Sequence, residues 1–307
     1  MTPERVVFYN ACNNGDIAVS RELIKVAVDS FRAMGIKEFG YSHSKPPEIL
    51  LDLDLDYWHP SRLPVEQARV KSELIEGKTL ALSTWYAHSP LWGRNGDGFG
   101  MTLNTLVALF KEHVTKAGGA FPNAPVERFI PQVDWKYYAI RNVDGNMPIF
   151  SRFSKRVLFC NGPAMSGQTN VADYMMNGLL EKLVAMHPDV VFFYTDRKVT
   201  EKTREYINAV STQDVIGPVP YASDLNETAY LGTFCDVIIG RCSGPQSFCF
   251  NTDVLFDLSK TMVSFSTDER PARWVYQSEK PLCRSVWSTG TQLDEMYLVV
   301  AQTFSEE

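Results

Sequence analysis

Arg5-Val-Val-Phe-Tyr9, a loop from Asn10 to Asp16, a run carrying Leu23, Ala27, Phe31 and Met34, and then Lys37-Glu-Phe-Gly-Tyr41 form the stretch whose reading decides the fold. The first run is compact and β-prone. The apolar residues after it fall on one face at helical spacing, and Gly35 stands where that helix would end. Lys37–Tyr41 reads as a second short strand. Strand, helix, strand in that order predicts a right-handed parallel crossover.

Working outward, the alternation continues. Lys78-Thr-Leu-Ala-Leu-Ser-Thr-Trp85 reads as a strand, and 101–115 as a helix with Leu103, Leu106, Val107, Phe110 and Val114 along one stripe. Between them, 86–100 is a Gly- and polar-rich loop of a length usually tied to function or mobility. Periodicity lapses around Asn142-Val-Asp-Gly-Asn-Met-Pro148, which places the boundary between domains 1–148 and 149–307. A second series follows. Arg156-Val-Leu-Phe-Cys160 is a strand and 171–186 a helix with Met176, Leu179, Leu180, Leu183 and Val184 inward. Asp189–Tyr194 is a buried-type strand. Residues 200–210 read as a helix, Asp214-Val-Ile-Gly217 as a short strand, and Asp224-Leu-Asn-Glu227 as a capping box. Cys235-Asp-Val-Ile-Ile-Gly240 is the next strand, and 292–304 the last helix, with Leu293, Met296, Tyr297 and Val300 on one side. The fold class is α/β, two Rossmann-like domains with parallel sheets whose carboxyl edges face a shared cleft.

The bulk properties agree. A length of 307 residues suits two domains. No stretch reaches the roughly 20 apolar residues of a membrane span, and the N-terminus lacks the apolar run of a signal peptide. The six cysteines form no C-x-x-C pair, so reduced, mostly buried thiols and a cytoplasmic location are expected. A net charge of −6 without a basic stripe argues against a nucleic-acid partner. The five histidines are scattered, which gives a His-based metal site no support.

Three strand-to-helix loops could carry chemistry. In Asn13-Asn-Gly-Asp16, the carboxylate can act as a general base or cap the helix. In Asn161-Gly-Pro-Ala-Met-Ser-Gly-Gln168, small residues leave backbone N–H groups free for a phosphate or form a plain structural loop. The fragment is neither a Walker A loop nor a G-x-G-x-x-G fingerprint. In Gly240-Arg-Cys-Ser-Gly-Pro-Gln246, Ser243, Gly244 and Gln246 sit where a diphosphate could be met, Pro245 suits a first helical turn, and Arg241 can add a charge-assisted contact. Asp52-Leu-Asp-Leu-Asp56 fails as a calcium loop, since Tyr57 stands where the turn glycine belongs. It reads instead as a short extended segment with Leu inward and Asp solvated. His88 and Trp92, in the long loop, could meet a sugar.

Asn14-Gly-Asp-Ile-Ala-Val-Ser-Arg21, together with the layout from Val157-Leu-Phe-Cys-Asn-Gly162 to Cys235-Asp-Val-Ile-Ile-Gly-Arg-Cys-Ser-Gly-Pro245, resembles the heptosyltransferase-like glycosyltransferases of the GT-B fold. The resemblance implies an acceptor domain followed by a nucleotide-sugar donor domain. It also implies metal-independent, inverting transfer of a sugar to a glycan, lipid-linked or other hydroxyl acceptor, with no cofactor beyond the donor. Asp16 matches the catalytic base. The donor would be met by Asn161, Gly162, Ser166, Gly167, Gln168, Arg241, Ser243, Gly244 and Gln246, and the acceptor by Asn13, Asn14, His88 and Trp92. The chain departs from the family at Arg241-Cys-Ser-Gly-Pro-Gln246, where His-Ala-Ala-Gly-like residues are common, and in the absence of a Lys from the 161–170 loop. Arg241 is the leading substitute, with Arg197, Lys198 and Arg273 behind it. Three other readings stand beside this one. They are a polysaccharide pyruvyltransferase-like enzyme, which shares the Asn-x-Gly-Asp start and a strand-to-Arg motif like Ile238-Ile-Gly-Arg241, a non-catalytic sugar- or nucleotide-binding protein, and a metal-dependent transferase using Asp52, Asp54 and Asp56.

Overall fold

The computed structural model describes residues 3–63, 71–92, 103–163, 171–241, 244–266 and 278–305. They form two compact units. The first runs to Val133 and takes in residues 278–280; the second begins at Asp134 and resumes at Pro281. The division precedes the expected 148/149 boundary because 134–148 bonds into the second unit. Trp135 Nε1 donates to Asp253 (2.7 Å), the Ala139 N–H to Glu227 (2.9 Å), and Asn142 and Asn146 to the carbonyls of Ile216 and Val215.

In the first unit, strands β1 (Arg5–Asn10), β2 (Glu38–His43), β3 (Asp56–Trp58), β4 (Ser72–Ile75) and β5 (Thr79–Ser83) make one sheet in the order β3-β2-β1-β5-β4. Central Val7 pairs with Gly40 on one side and Ala81 on the other, both parallel. The β4 edge, unread in the sequence, pairs antiparallel to β5 through a turn with Glu76 and Gly77 both at positive φ. The helical run after β1 is divided at Ser20 into α1 (Asn14–Val19) and α2 (Arg21–Ala33). Gly35, at φ +90°, ends α2 with its N–H on the Arg32 carbonyl. Helix α3 (Leu103–Lys116) covers the sheet with Leu103, Leu106, Leu109, Phe110 and Val114 buried.

The segment around Asp52 is not extended. A 3₁₀ stretch, Pro47–Leu53, buries the Asp52 carboxylate against Arg21 (3.4 Å), whose guanidinium also donates to the Ile49 carbonyl (2.6 Å). Burial of one carboxylate is tolerable here because a guanidinium meets it. An aspartate so engaged is not a solvated residue.

The second unit opens with α4 (Arg141–Asn146) and builds a sheet from β6 (Lys155–Phe159), β7 (Val190–Tyr194), β8 (Ala209–Ser211), β9 (Val237–Gly240), β10 (Thr261–Phe265) and β11 (Arg284–Ser288). All pairings are parallel, in the order β11-β10-β9-β6-β7-β8. Counted from β6, this is the 3-2-1-4-5-6 arrangement of dinucleotide-binding sheets. The helices are α5 (Asp173–Met186), α6 (Glu201–Glu205), α7 (Thr212–Ile216), α8 (Leu225–Thr233), α9 (Gly244–Phe248), α10 (Thr252–Leu255) and α11 (Leu293–Ser305).

Period-two alternation sorts the core. Val157, Phe159, Phe192, Ile239, Val263 and Phe265 point to one face, under Met176, Leu179, Leu180 and Leu183 of α5 and Met296 and Val300 of α11. Leu158 and Ile238 point the other way, where Gly232 of α8 lets the helix approach them.

Three sequence expectations fail in this unit, the first being the helix over 200–210, which stops at Glu205. Asp214–Gly217 is no strand: Thr212–Ile216 is helical and Gly217, at φ +70°, stops it, while Ala209–Ser211 takes the edge position beside β7. The capping box at Asp224 does not form either. Asp224 makes no side-chain cap, and Glu227 turns inward to accept from the Ala139 amide and the Tyr221 hydroxyl.

The five described cysteines are free thiols, all buried except half-buried Cys12. No described helix is long and apolar enough to cross a membrane.

Two stability predictions follow from this packing. Leu180→Ala empties part of the α5 interface and is expected to cost about 2–5 kcal/mol in urea unfolding. Burial lowers His43 and His113 to about 4, each from 6.5. Both are buried in the first unit, and His113 Nε2 lies 2.8 Å from the Ser83 carbonyl. The unfolded chain therefore binds more protons between pH 6.5 and 4, and stability falls as pH drops through that window, by up to about 3 kcal/mol per histidine. Imidazole resonances that titrate near 6.5 would refute this.

Candidate functional site

In the second unit the strand order reverses between β6 and β9, so their carboxyl-end loops diverge and leave a crevice. A cavity of about 300 Å³ lies there, lined by residues that include Gly162, Pro163, Thr195, Arg197, Asp224 and Pro245. A second cavity, of about 440 Å³, adjoins it and shares Arg197, Gln213 and Asp224.

The wall is built by side chains at strand exits. Asn161, next but one after β6, is buried and joins two loops: its amide donates to Asn177 and to the Asp196 carbonyl (both 3.0 Å), and its oxygen accepts the Asp196 N–H (2.8 Å). Arg197 is held by Ser211 (Nε, 3.2 Å) and Asp214 (Nη2, 2.5 Å), and among the described residues it is the cation that lines both cavities. Burial raises the Asp224 carboxyl above its usual range.

Arg241 takes a different position from the one the sequence invites. It is 2% exposed and does not line the cavity. Nη1 donates to the Val171 carbonyl (2.8 Å), while Nη2 serves the Gly162 carbonyl (2.7 Å) and the Asp173 carboxylate. Gln246 is likewise turned into the sheet, donating to the Val263 carbonyl (3.0 Å) and Ser264 Oγ (2.9 Å). Gly244 opens α9, and Pro245, at its second position, reaches the cavity. Ser166, Gly167, Gln168 and Ser243 lie outside the described residues.

In the first unit the same topology reverses between β1 and β5. Asn10, the last residue of β1, donates to Thr84 Oγ1 (2.9 Å) and accepts the Cys12 N–H (2.8 Å); the Tyr41 hydroxyl lies 2.9 Å from Thr84 Oγ1. The exits of β1, β2 and β5 are thereby stitched together. Asp16 stands one turn beyond, as the third residue of α1, and accepts the Asn13 N–H (3.1 Å) in a capping box. Burial raises its carboxyl, and the Asn13 amide and Tyr86 hydroxyl partly oppose that shift. The capping reading of Asp16 is thus met, and the half-buried carboxylate keeps acceptor capacity beyond that one bond.

Tyr86 also packs against Trp92 (5.3 Å between centroids), so Asp16 and Trp92 share a neighbour. His88 is buried behind them, with Nδ1 2.7 Å from Ser83 Oγ and its ring edge on Trp85. Asn13 is exposed, and Asn14 is half-buried. Among the described residues no group of three or more His, Cys, Asp or Glu side chains is placed to hold a metal ion.

Sequence reasoning missed Tyr86, Thr195, Gln213 and Asp224 and ranked Arg197 low. The signal for Thr195 and Arg197 was present, since both stand within three residues after the buried run Val190–Tyr194, at the end of a strand beside the switch point. Asn161→Ala removes four hydrogen bonds, the three above and one accepted from Thr195 Oγ1 (3.4 Å), and is expected to destabilise the protein by about 1–3 kcal/mol, read by chemical denaturation.

No protein-family profile matches the chain, and no curated protein matches it. Solved structures do. The E. coli heptosyltransferase WaaC with ADP aligns over 98% of this chain and 98% of its own, at 9% identity and a TM-score of 0.51. The same enzyme with ADP-2-deoxy-2-fluoro heptose aligns over 98% of both chains at 10% identity and a TM-score of 0.51. With its two parallel-sheet units, the chain therefore has the fold of a GT-B glycosyltransferase.

Proposed function

We propose that the protein is a glycosyltransferase that moves a sugar from a nucleotide-sugar donor to a hydroxyl acceptor. The observation that carries this reading is Asp16, a half-buried carboxylate beside the β1/β5 switch point with its pKa raised. A carboxylate whose pKa is raised accepts a proton with better driving force. The adjoining cavities of the second unit, with Arg197 in their walls, are the proposed site of the nucleoside diphosphate. The likeness to a heptosyltransferase solved with ADP supports the same reading.

In the proposed reaction the acceptor oxygen forms a bond to the anomeric carbon as Asp16 takes its proton. The bond from that carbon to the donor phosphate breaks, and the nucleoside diphosphate leaves with the electron pair. Attack opposite the leaving group inverts the anomeric centre. Arg197 and the backbone at Gly162 and Gly244 stabilise charge on the departing diphosphate, where preorganised donors count most. No metal is assigned a step. Asn13, Asn14, His88 and Trp92 are the proposed acceptor contacts.

A thermal-shift screen against nucleoside diphosphates, nucleotide sugars and phosphoenolpyruvate, with and without EDTA, tests the donor. A chelator-insensitive rise in Tm with one nucleoside diphosphate is expected; a rise with phosphoenolpyruvate alone would overturn the reading. Asp16→Asn is expected to fold and bind donor normally while turnover falls by about 10²-fold or more. Undiminished turnover would remove Asp16 from the mechanism.

A further inference from the structure

Among the described residues Arg241 is the largest cation buried in the second unit, and the reaction proposed above does not use it. Its guanidinium joins three segments: the exit of β9, to which it belongs, the exit of β6 through the Gly162 carbonyl, and the start of α5 through the Val171 carbonyl and the Asp173 carboxylate. The Asn161 carbonyl lies within 3.4 Å of Nη2 as well. Gly162 and Val171 are the two stems of the chain between β6 and α5, so a single planar side chain fastens both. Gly162 and Pro163, on the first stem, also line the 300 Å³ cavity. The cavity wall is thus held from behind by a charge that does not enter it.

We infer that Arg241 is a positioning residue: it sets the backbone at Gly162–Pro163 against which the diphosphate of the donor binds, rather than touching the diphosphate itself. The inference rests on the donor reading above. The chemistry favours arginine for this task. Two separate nitrogens reach carbonyls on different stems while one of them also meets a carboxylate, and the planar fork keeps these directions fixed. A lysine ammonium is a point charge on a flexible stem and cannot span both stems in the same geometry. Burial of a guanidinium is costly unless its hydrogen bonds are met; here two carbonyls and a carboxylate meet Nη1 and Nη2, while Nε is buried without a partner among the described residues. Asp173, 65% exposed at its side chain, closes the cluster from the solvent side.

Direct contact and positioning predict different outcomes for two conservative changes. Arg241→Lys keeps the positive charge and loses the fork. Asp173→Asn keeps the guanidinium and removes the carboxylate that competes for it. If Arg241 touched the diphosphate, the lysine variant would retain much of the affinity, and the asparagine variant would bind at least as tightly as the parent.

If Arg241 positions the wall, both variants lose affinity for the nucleoside diphosphate found by the thermal-shift screen. The expected loss is about tenfold for Arg241→Lys, the order of one charge-assisted hydrogen bond, and severalfold for Asp173→Asn. Affinity for the matching nucleoside, which lacks phosphates, stays within about twofold of the parent in both. Titration calorimetry on the full chain reads these ratios. Amide exchange at Asn161 and Gly162 and at 171–176 is expected to quicken in the same variants.

Retained diphosphate affinity in either variant overturns the inference, as does an equal loss for nucleoside and diphosphate, which would make Arg241 a general fold contact. Should Arg241→Lys fail to fold, Asp173→Asn at an exposed carboxylate still decides. Absence of diphosphate binding in the parent protein overturns the donor reading itself, a result distinct from the other two.

Discussion

Parallel hydrogen bonding at β1 and β6 is the constraint on which the rest depends. Each is flanked on both sides by parallel strands, and a parallel sheet survives only when both faces are covered. That requirement dictates strand-helix alternation, since each parallel pair needs a crossover that returns the chain to the same edge. It also explains why β6, β7 and β9 are nearly unbroken apolar runs, with Val157, Leu158, Phe159, Val191, Phe192, Phe193, Ile238 and Ile239 fully buried.

The same constraint creates the polar problem that the candidate sites solve. Where successive crossovers leave on opposite faces, strand ends part, and their last backbone groups lose their ladder partners. Both units answer with an asparagine at or just beyond the exit of the central strand. Asn10 binds the β5 exit through Thr84, and Asn161 binds the β7 exit through Asp196. In the second unit Arg241 adds a further connection across the β6/β9 gap. Preorganisation at such a place has a physical basis, because groups already fixed by neighbours need little ordering when a ligand arrives.

Much of the fold was legible because core-facing helices and buried strands carry strong periodic signals. Every inward residue assigned to α5 is buried, and both central strands stand within a residue of their expected bounds. The errors cluster where pattern and environment part. Strand β4 is exposed along most of its length, so burial left no alternation to read. Ala209 and Val210 of the strand Ala209–Ser211 were absorbed into a neighbouring helix because three residues carry too little periodicity to compete. Asp52 alternates with leucines like a solvated residue, yet Arg21, 31 positions earlier in the chain, buries it.

The sequence by itself determined the α/β class, the two-unit organisation and the strand-exit loops, because these follow from local periodicity and from residues that permit sharp turns. It also drew attention to Asp16 and Arg241. Only the tertiary structure decided what those side chains face. Asp16 keeps an oxygen on the Asn13 amide in a half-buried pocket beside Tyr86, while Arg241 turns back beneath the cavity wall and Arg197 takes the position toward it. A side chain's direction at a strand exit depends on which strands lie beside it. Strand order in a parallel sheet is set by contacts between segments tens of residues apart, which no local pattern encodes.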